Sequence, residues 1–209
     1  RENYFSLQQN RIKLLLDEYL TFGGYPAVVL AETEDRKKAI LNELSQAFLK
    51  RDILESGIKN EDKFYFLLRS LAAQKTFHIG LVRPFYKNLK KELTKMPKVY
   101  FNDLGMRNNL LNLFHPVDLR LDKGELVENF VYLQLRNKFN PDEIRFWRTT
   151  DGQGVDFVVS TSFEKGFAIE CKFTERDFKQ SKYMKFITEY PDYPLMVKSY
   201  SWTKNCHSL

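Results

Sequence analysis

Residues 154–161, GVDFVVST, and residues 165–173, KGFAIECKF, are two apolar stretches separated by three residues. Both stretches are rich in β-branched and aromatic residues, and each predicts a strand that is interrupted by charge. Glu170 and Lys172 are two residues apart, so the alternation of a strand points both side chains to one face of the sheet. Asp156 interrupts the other strand. Two neighbouring strands are therefore expected to present two carboxylates and an amine together.

The surrounding segments extend this pattern into a domain. Helical periodicity and β-rich runs predict four further elements after Gly124. They are a helix in GELVENFVYLQLRNKF (124–139), a strand in EIRFWRTT (143–150), a helix in ERDFKQSKYMKFITEY (175–190) and a strand in YPLMVKSY (193–200). The resulting order is α-β-β-β-α-β. We expect residues 124–209 to form an α/β domain with a mixed sheet flanked by helices.

The segments before Gly124 differ in character. Residues 1–74 are predicted to be mainly helical, because apolar residues recur at helical spacing on both sides of the turn sequence TFGGYP. Residues 75–123 contain short β-rich runs and a predicted helix over 104–114. The chain is thus expected to divide into a helical region, a connecting region and the α/β domain.

Composition limits the class of protein. The chain has 209 residues, of which 43% are hydrophobic, which is enough for a buried core. No window approaches the 18 or so apolar residues that cross a bilayer, and no export signal is visible. Cys171 and Cys206 are the only cysteines, so neither a disulfide framework nor a four-cysteine zinc site is expected. We expect a cytoplasmic protein that is not in the membrane.

The positive charge is unevenly distributed. Residues 124–209 contain 12 Lys+Arg and 12 Asp+Glu, so the net charge of +6 lies in residues 1–123. Its densest part is RPFYKNLKKELTKMPK (83–98), with a single acidic residue. This segment predicts contacts to nucleic-acid phosphates, while a solvated charged surface is the alternative. The predicted phosphate-binding residues are Arg83, Lys87, Lys90 and Lys91.

The charged residues of the two central strands suggest phosphodiester chemistry. Hard cations such as Mg²⁺ or Mn²⁺ take oxygen ligands, and Asp156 and Glu170 leave room for waters and a phosphate oxygen. Glu128, on the preceding helix, is a third candidate ligand. Lys172 would then orient a metal-activated water or stabilise developing negative charge. Exposed salt bridges between strand residues are the alternative.

Several blocks together resemble a known family. They are YLTFGGYPAVVL, RPFYKN, PKVYFNDLG, GELVENFVYLQL, FWRTTDGQGVDFVV and AIECKF, and they touch most of the chain. The sequence resembles the PD-(D/E)xK nuclease-like superfamily, and more closely a prokaryotic family in which a domain of unknown function follows an AAA-type ATPase domain. The resemblance implies a restriction-endonuclease-like core in which Glu128, Asp156, Glu170 and Lys172 occupy the acidic and lysine positions. It also implies that Arg148 contacts phosphate.

The sequence departs from that family in two places. No GxxxxGK[ST] phosphate loop occurs, so ATP is expected only in a domain outside this chain. Similar proteins have a small winged-helix unit before FHIGLVRPFYKN, where here Gln74 runs directly into Lys75. We favour an omission of residues at this point, because KTFHIGLV resembles the end of a winged-helix helix followed by its wing strand. Residues 75–123 are then a winged-helix remnant and connection.

Three functions compete. The first is a Mg²⁺-dependent deoxyribonuclease module that acts with its own ATPase domain. The second is a catalytically inactive module that binds nucleic acid or protein and regulates the ATPase. The third is a structural domain that forms homo-oligomers.

Overall fold

A computed structural model of the protein describes the backbone of residues 2–56, 79–85 and 96–200 and the side chains of residues 8–47, 79–85 and 96–200. The chain divides into two compact units. The helical unit comprises Arg1–Gly80 and Phe101–Leu121, and the sheet unit comprises Leu81–Tyr100 and Asp122–Leu209. In the described part of the chain, no helix has the length and apolar character needed to span a membrane.

The helical unit contains four α-helices among its described residues. They are α1 (Glu2–Phe22), α2 (Pro26–Val29), α3 (Glu34–Ser56) and α4 (Leu104–Leu111). The helices that were predicted on either side of TFGGYP are confirmed, but α2 ends at Val29 and a separate α3 begins at Glu34. The predicted helix over residues 61–74 lies outside the described residues.

A polar clamp joins TFGGYP to the start of α4. Asp103 is the N-cap of α4 and accepts the backbone N–H of Met106 at 2.9 Å, which satisfies one of the orphan donors of the first turn. Its other carboxylate oxygen accepts the N–H of Gly24 at 2.7 Å. Gly23 adopts φ +75°, and a Cβ at this position would lie 2.3 Å from Asp103 Oδ1. Hydrogen bonds to the Asp103 carboxylate therefore hold the TFGGYP turn against the start of α4.

The sheet unit is built on six strands. They are β1 (Ile79–Pro84), β2 (Lys98–Phe101), β3 (Ile144–Arg148), β4 (Gly154–Ser162), β5 (Lys165–Lys172) and β6 (Leu195–Ser199), arranged in the order β2-β1-β3-β4-β5-β6. β3, β4 and β5 pair antiparallel, whereas β1 pairs parallel with β3 and β6 pairs parallel with β5. The mixed α/β class predicted from the sequence is confirmed.

Two helices accompany the sheet, α5 (Lys123–Arg136) and α6 (Met184–Glu189). Buried residues of α5 include Leu126 and Tyr132, whose ring stacks on Tyr100 of β2 at 4.7 Å. α6 contributes Phe186 to a separate cluster with Trp147 of β3 and Ala168 of β5. The order of elements predicted after Gly124 is thus observed.

Two details differ from the sequence predictions. The helix predicted over 175–190 begins instead as two 3-10 turns, Glu175–Asp177 and Gln180–Tyr183, because the chain is extended at Phe178, whose ring stacks on Tyr183 at 5.1 Å. Residues 75–123 were expected as one connecting region, but their described strand residues lie largely in the sheet unit while α4 lies in the helical unit. Strand pairing explains this division, since β1 pairs with β3.

Candidate metal and phosphate site

A bulge in β4 positions Asp156. The pairing of β3 with β4 shifts register between Arg145, opposite Val158, and Trp147, opposite Val155. β4 therefore carries one extra residue beside Asp156, and bulges of this kind re-aim side chains. Asp156 Oδ2 accepts the backbone N–H of Cys171 on β5 at 3.0 Å. The carboxylate is thereby fixed at the junction of the two central strands.

Glu170 and Lys172 lie on the same face of β5, as their spacing predicted. Lys172 Nζ donates to Glu170 Oε1 in a direct ion pair. The Glu170 side chain is only 7% exposed, and the Tyr183 hydroxyl also interacts with its carboxylate. Among the described residues, the second oxygen, Oε2, has no partner within hydrogen-bonding geometry. A buried acceptor without a donor is costly, so Oε2 is a position where a ligand would be stabilised.

Lys98 bridges the carboxylates of Glu128 and Asp156. Lys98 Nζ, on β2, lies 2.7 Å from Glu128 Oε1 and 3.2 Å from Asp156 Oδ1. The hydroxyl of Tyr100, two residues further along β2, also donates to Glu128 Oε1. The predicted third acid is therefore brought to the site, and a bridging ammonium group separates it from Asp156.

A cavity of about 400 Å³ opens beside these charges. Asp156, Glu170 and Lys98 line it, and so do residues of the β3–β4 turn and of the segment before α6. These further residues are Trp147, Arg148, Asp151, Gly152, Gln153, Gly154, Val155, Lys182 and Tyr183. Among the described residues, Gln153 Oε1 is buried without a hydrogen-bond partner. Gln153 and Glu170, which both line the cavity, thus each carry one buried acceptor oxygen without a donor.

Burial and mutual repulsion change the acidity of the carboxylates. Burial raises the pKa of Glu128 and of Glu170, and in both cases the negative charge of Asp156 raises it further. Lys98 opposes the shift at Glu128, and Lys172 opposes it at Glu170. Both carboxyl groups are therefore in an environment where an added positive charge favours the ionised form.

The same interactions keep the amines charged. Burial alone would lower the pKa of Lys172, but the hydrogen bond and charge of Glu170 raise it above its ordinary value. Lys98 behaves in the same way, because Glu128 and Asp156 outweigh its burial. The pKa of Tyr183 is raised to about 12, by burial and then by Glu170, so this hydroxyl keeps its proton at neutral pH.

The oxygen-rich lining fits a hard divalent cation. Such ions take carboxylate and amide oxygens, and Glu170 Oε2 and Gln153 Oε1 are acceptors of this type. In the described part of the chain, no three His, Cys, Asp or Glu side chains are grouped closely enough to hold one ion. The oxygen ligands that the cavity lining offers are Asp156, Glu170 and the Gln153 amide, whereas Glu128 is paired with Lys98.

The predicted phosphate-binding residues have different locations. Arg148, at the end of β3, lines the cavity and is exposed. Arg83 is exposed on β1 beside Arg145 of β3, outside the cavity lining, and burial followed by the charge of Arg83 lowers the pKa of Arg145. The other three, Lys87, Lys90 and Lys91, lie outside the described residues.

Four contributing residues were not predicted from the sequence: Lys98, Tyr100, Gln153 and Tyr183. A signal for two of them exists, since Lys98 and Tyr100 alternate in the strand sequence KVYF in the same way as Glu170 and Lys172. The sequence does not predict their contacts with the acids, because Lys98 is 30 residues from Glu128 and 58 residues from Asp156 along the chain.

The sheet unit matches a family of unknown function. Residues 123–204 match the Domain of unknown function (DUF4143), which often occurs with AAA-type ATPases. Residues 13–76 and 74–116 match a second family, the Domain of unknown function (DUF8612). Neither family assigns an activity to the chain.

Curated relatives are likewise uncharacterized. An uncharacterized protein of Methanocaldococcus jannaschii is 24% identical over 186 residues, which cover 76% of this chain and 42% of the relative. Uncharacterized proteins of Mycobacterium bovis and Mycobacterium tuberculosis are 30% identical over 81 residues, covering 38% of this chain and 18% of each relative. The chain thus spans less than half the length of these relatives. No solved structure matches it significantly.

Proposed function

We propose that the sheet unit is a PD-(D/E)xK-type module that hydrolyses phosphodiester bonds of DNA with the help of Mg²⁺ or Mn²⁺. The observation that carries this proposal is the unpartnered Oε2 of Glu170, buried in a polar cavity with Asp156 and backed by Lys172. An acceptor oxygen in that position favours a cation, and a cavity of about 400 Å³ has room for a phosphate group as well.

Each residue has a role in this proposal. Asp156 and Glu170 would hold the ion, which would polarise the phosphate and lower the pKa of a bound water. Lys172 acts as a fixed positive charge on the transition state, because its ion pair with Glu170 keeps it protonated. Arg148 and Lys182, which both line the cavity, contact the phosphates on either side of the cut bond.

Cleavage of labelled single- and double-stranded DNA in Mn²⁺ tests this proposal. Lys172→Met removes the positive charge and should lower the rate by at least about 100-fold, as losing one electrostatic stabiliser typically does. The matched control is Lys165→Met, an exposed lysine at the start of the same strand, which should keep the rate. Equal rates for the two variants would refute the proposed role of Lys172.

A second candidate is a DNA-binding module that does not cut. Lys98 favours it, because its ammonium group already offsets one of the two negative charges of Glu128 and Asp156 without any metal. This function predicts salt-sensitive DNA binding with no cleavage in Mg²⁺ or Mn²⁺. If the protein neither binds nor cuts DNA at low salt, the structural, oligomer-forming function gains support.

We also propose that the chain works together with an AAA-type ATPase domain elsewhere in a longer protein. The family matched by residues 123–204 often occurs with such ATPases, and the curated relatives are more than twice the length matched by this chain. ATP would then bind outside the sheet unit, and DNA movement by the ATPase would supply substrate to the cavity.

A further inference from the structure

The positive charge between Glu128 and Asp156 is the ammonium group of Lys98, a residue of the chain itself. Lys98 Nζ lies within hydrogen-bond distance of both carboxylates, at 2.7 Å and 3.2 Å. The ring of Phe146 covers another side of the ammonium group, 5.5 Å from Nζ to the ring centroid. The lysine side chain is only 22% exposed, so it is held between its partners and not extended into solvent.

Glu170 has a cation of its own, Lys172, but that ion pair uses only one of its two carboxylate oxygens. Among the described residues, Glu170 Oε2 and Gln153 Oε1 are buried acceptors without a hydrogen-bond partner, and both residues line the cavity. Lys172 contacts only the other oxygen of Glu170, Oε1, among the hydrogen bonds described. The acceptor oxygens without a donor are therefore on Glu170 and Gln153, whereas Glu128 Oε1 and both oxygens of Asp156 already accept hydrogen bonds.

The formal charges lead to the same division. Glu128, Asp156 and Glu170 contribute three negative charges, and Lys98 and Lys172 contribute two positive charges, which leaves one negative charge. One divalent ion reverses this balance to one positive charge. A second would have to bind within a few ångströms of the Lys98 ammonium, where like charges repel strongly in a partly buried site.

We infer that Lys98 is the resident cation of the Glu128–Asp156 pair and that the cavity consequently takes one divalent ion, on the Glu170 side. This inference rests on the proposed metal-dependent function and specifies how many ions that function uses. Single-metal phosphodiester hydrolysis follows for the protein, with Lys98 in the place that a second ion would otherwise occupy. Lys98 is a positioning residue, because it acts through Asp156.

Mn²⁺ titration by calorimetry tests the inference on the whole chain. The unmodified protein should bind one ion, and Glu128→Gln should still bind one, because Glu128 serves Lys98. Lys98→Met should bind two, and the double variant Lys98→Met/Glu128→Gln should return to one. Lys165→Met, on the exposed end of β5, is the control and should bind one ion.

Other outcomes separate this inference from the proposed function. If the unmodified protein binds no Mn²⁺ but Lys98→Met binds one that the added Glu128→Gln removes, Lys98 is the resident cation and the metal-dependent function is wrong. If the unmodified protein binds two ions, or Glu128→Gln abolishes binding, the inference about Lys98 is overturned. The Glu128→Gln result decides the matter if circular dichroism shows that Lys98→Met does not fold. A folded Lys98→Met that binds no more than the unmodified protein also overturns it.

Discussion

The thiol of Cys171 lies among the charges of the site, yet its environment makes it unreactive. Burial raises its pKa well above the ordinary value, and the charge of Asp156, whose carboxylate accepts the Cys171 N–H, raises it further. The thiol is therefore protonated at neutral pH, and only the thiolate is a good nucleophile. Cys171 is a buried residue of β5 and has no role in the proposed chemistry.

This environment predicts slow alkylation. In a Cys206→Ser background, so that one cysteine remains, iodoacetamide at pH 7.5 should react with Cys171 in the folded protein at least about 10-fold more slowly than in urea. Mass spectrometry of the alkylated protein measures both rates. A folded-state rate equal to the unfolded rate would show that Cys171 is accessible and ionised, against the structure.

Single residues also show how far the sequence predicts the site. Glu170 and Lys172 were assigned to one face because alternation along one strand is a local property. Lys98 was assigned only to the basic segment, since its contact with Asp156 spans 58 residues and depends on the strand order β2-β1-β3-β4. The β4 bulge that positions Asp156 likewise has no signal in GVDFVVST, because it arises from pairing with β3.

At the level of elements, two glycines near helix starts differ in the space that a side chain would find there. Gly23 has φ +75°, and a Cβ there would meet Asp103 Oδ1 at 2.3 Å and the Gly105 backbone nitrogen at 2.6 Å. Gly124, in the first turn of α5, would place a Cβ in open space. Alanine is strained at the first position and favours the helix at the second.

The two substitutions form a matched pair. Gly23→Ala should lower the free energy of unfolding by about 1–3 kcal/mol, because it combines backbone strain with overpacking against the α4 cap. Gly124→Ala should raise it by roughly 0.5–1 kcal/mol. Urea unfolding followed by circular dichroism measures both values. Equal effects from the two substitutions would contradict the clamp between TFGGYP and Asp103.

The sequence predicts the helices and strands of the sheet unit better than the places where a helix is interrupted. The order of helices and strands after Gly124 follows from period and composition, which are written into each segment. The 3-10 turns before α6 were missed, because they depend on the stacking of Phe178 on Tyr183 and on packing against Trp147 and Phe186. Contacts of this kind override helical spacing in a short segment.

For the whole molecule, the charge distribution assigns the DNA contacts that the proposed function requires to residues 83–98. Residues 124–209 are electrically neutral, while the basic segment 83–98 accounts for much of the excess charge. Neutralising Lys90 and Lys91 together should weaken DNA binding and reduce the slope of log K against log salt by up to about 2, since each phosphate contact contributes roughly 0.9. Fluorescence anisotropy at several salt concentrations measures this slope.

The control for this prediction is a double substitution in the neutral part of the chain. Lys165 and Lys179 are exposed, lie outside the cavity lining and carry the same total charge. Their replacement by alanine should leave the slope nearly unchanged. An equal loss from both double variants would mean that binding follows net charge alone and that segment 83–98 has no special part in it.

Mn²⁺-dependent cleavage by the unmodified protein and by Glu170→Gln is the decisive measurement for the proposed metal site of Asp156 and Glu170, at which DNA would be cut. Gln keeps the size of the side chain and removes its charge. We expect cleavage to appear as Mn²⁺ is added to the unmodified protein, and Glu170→Gln to cut at least about 100-fold more slowly at every Mn²⁺ concentration. Cleavage that is unchanged in Glu170→Gln, or absent from the unmodified protein at all Mn²⁺ concentrations, would contradict it.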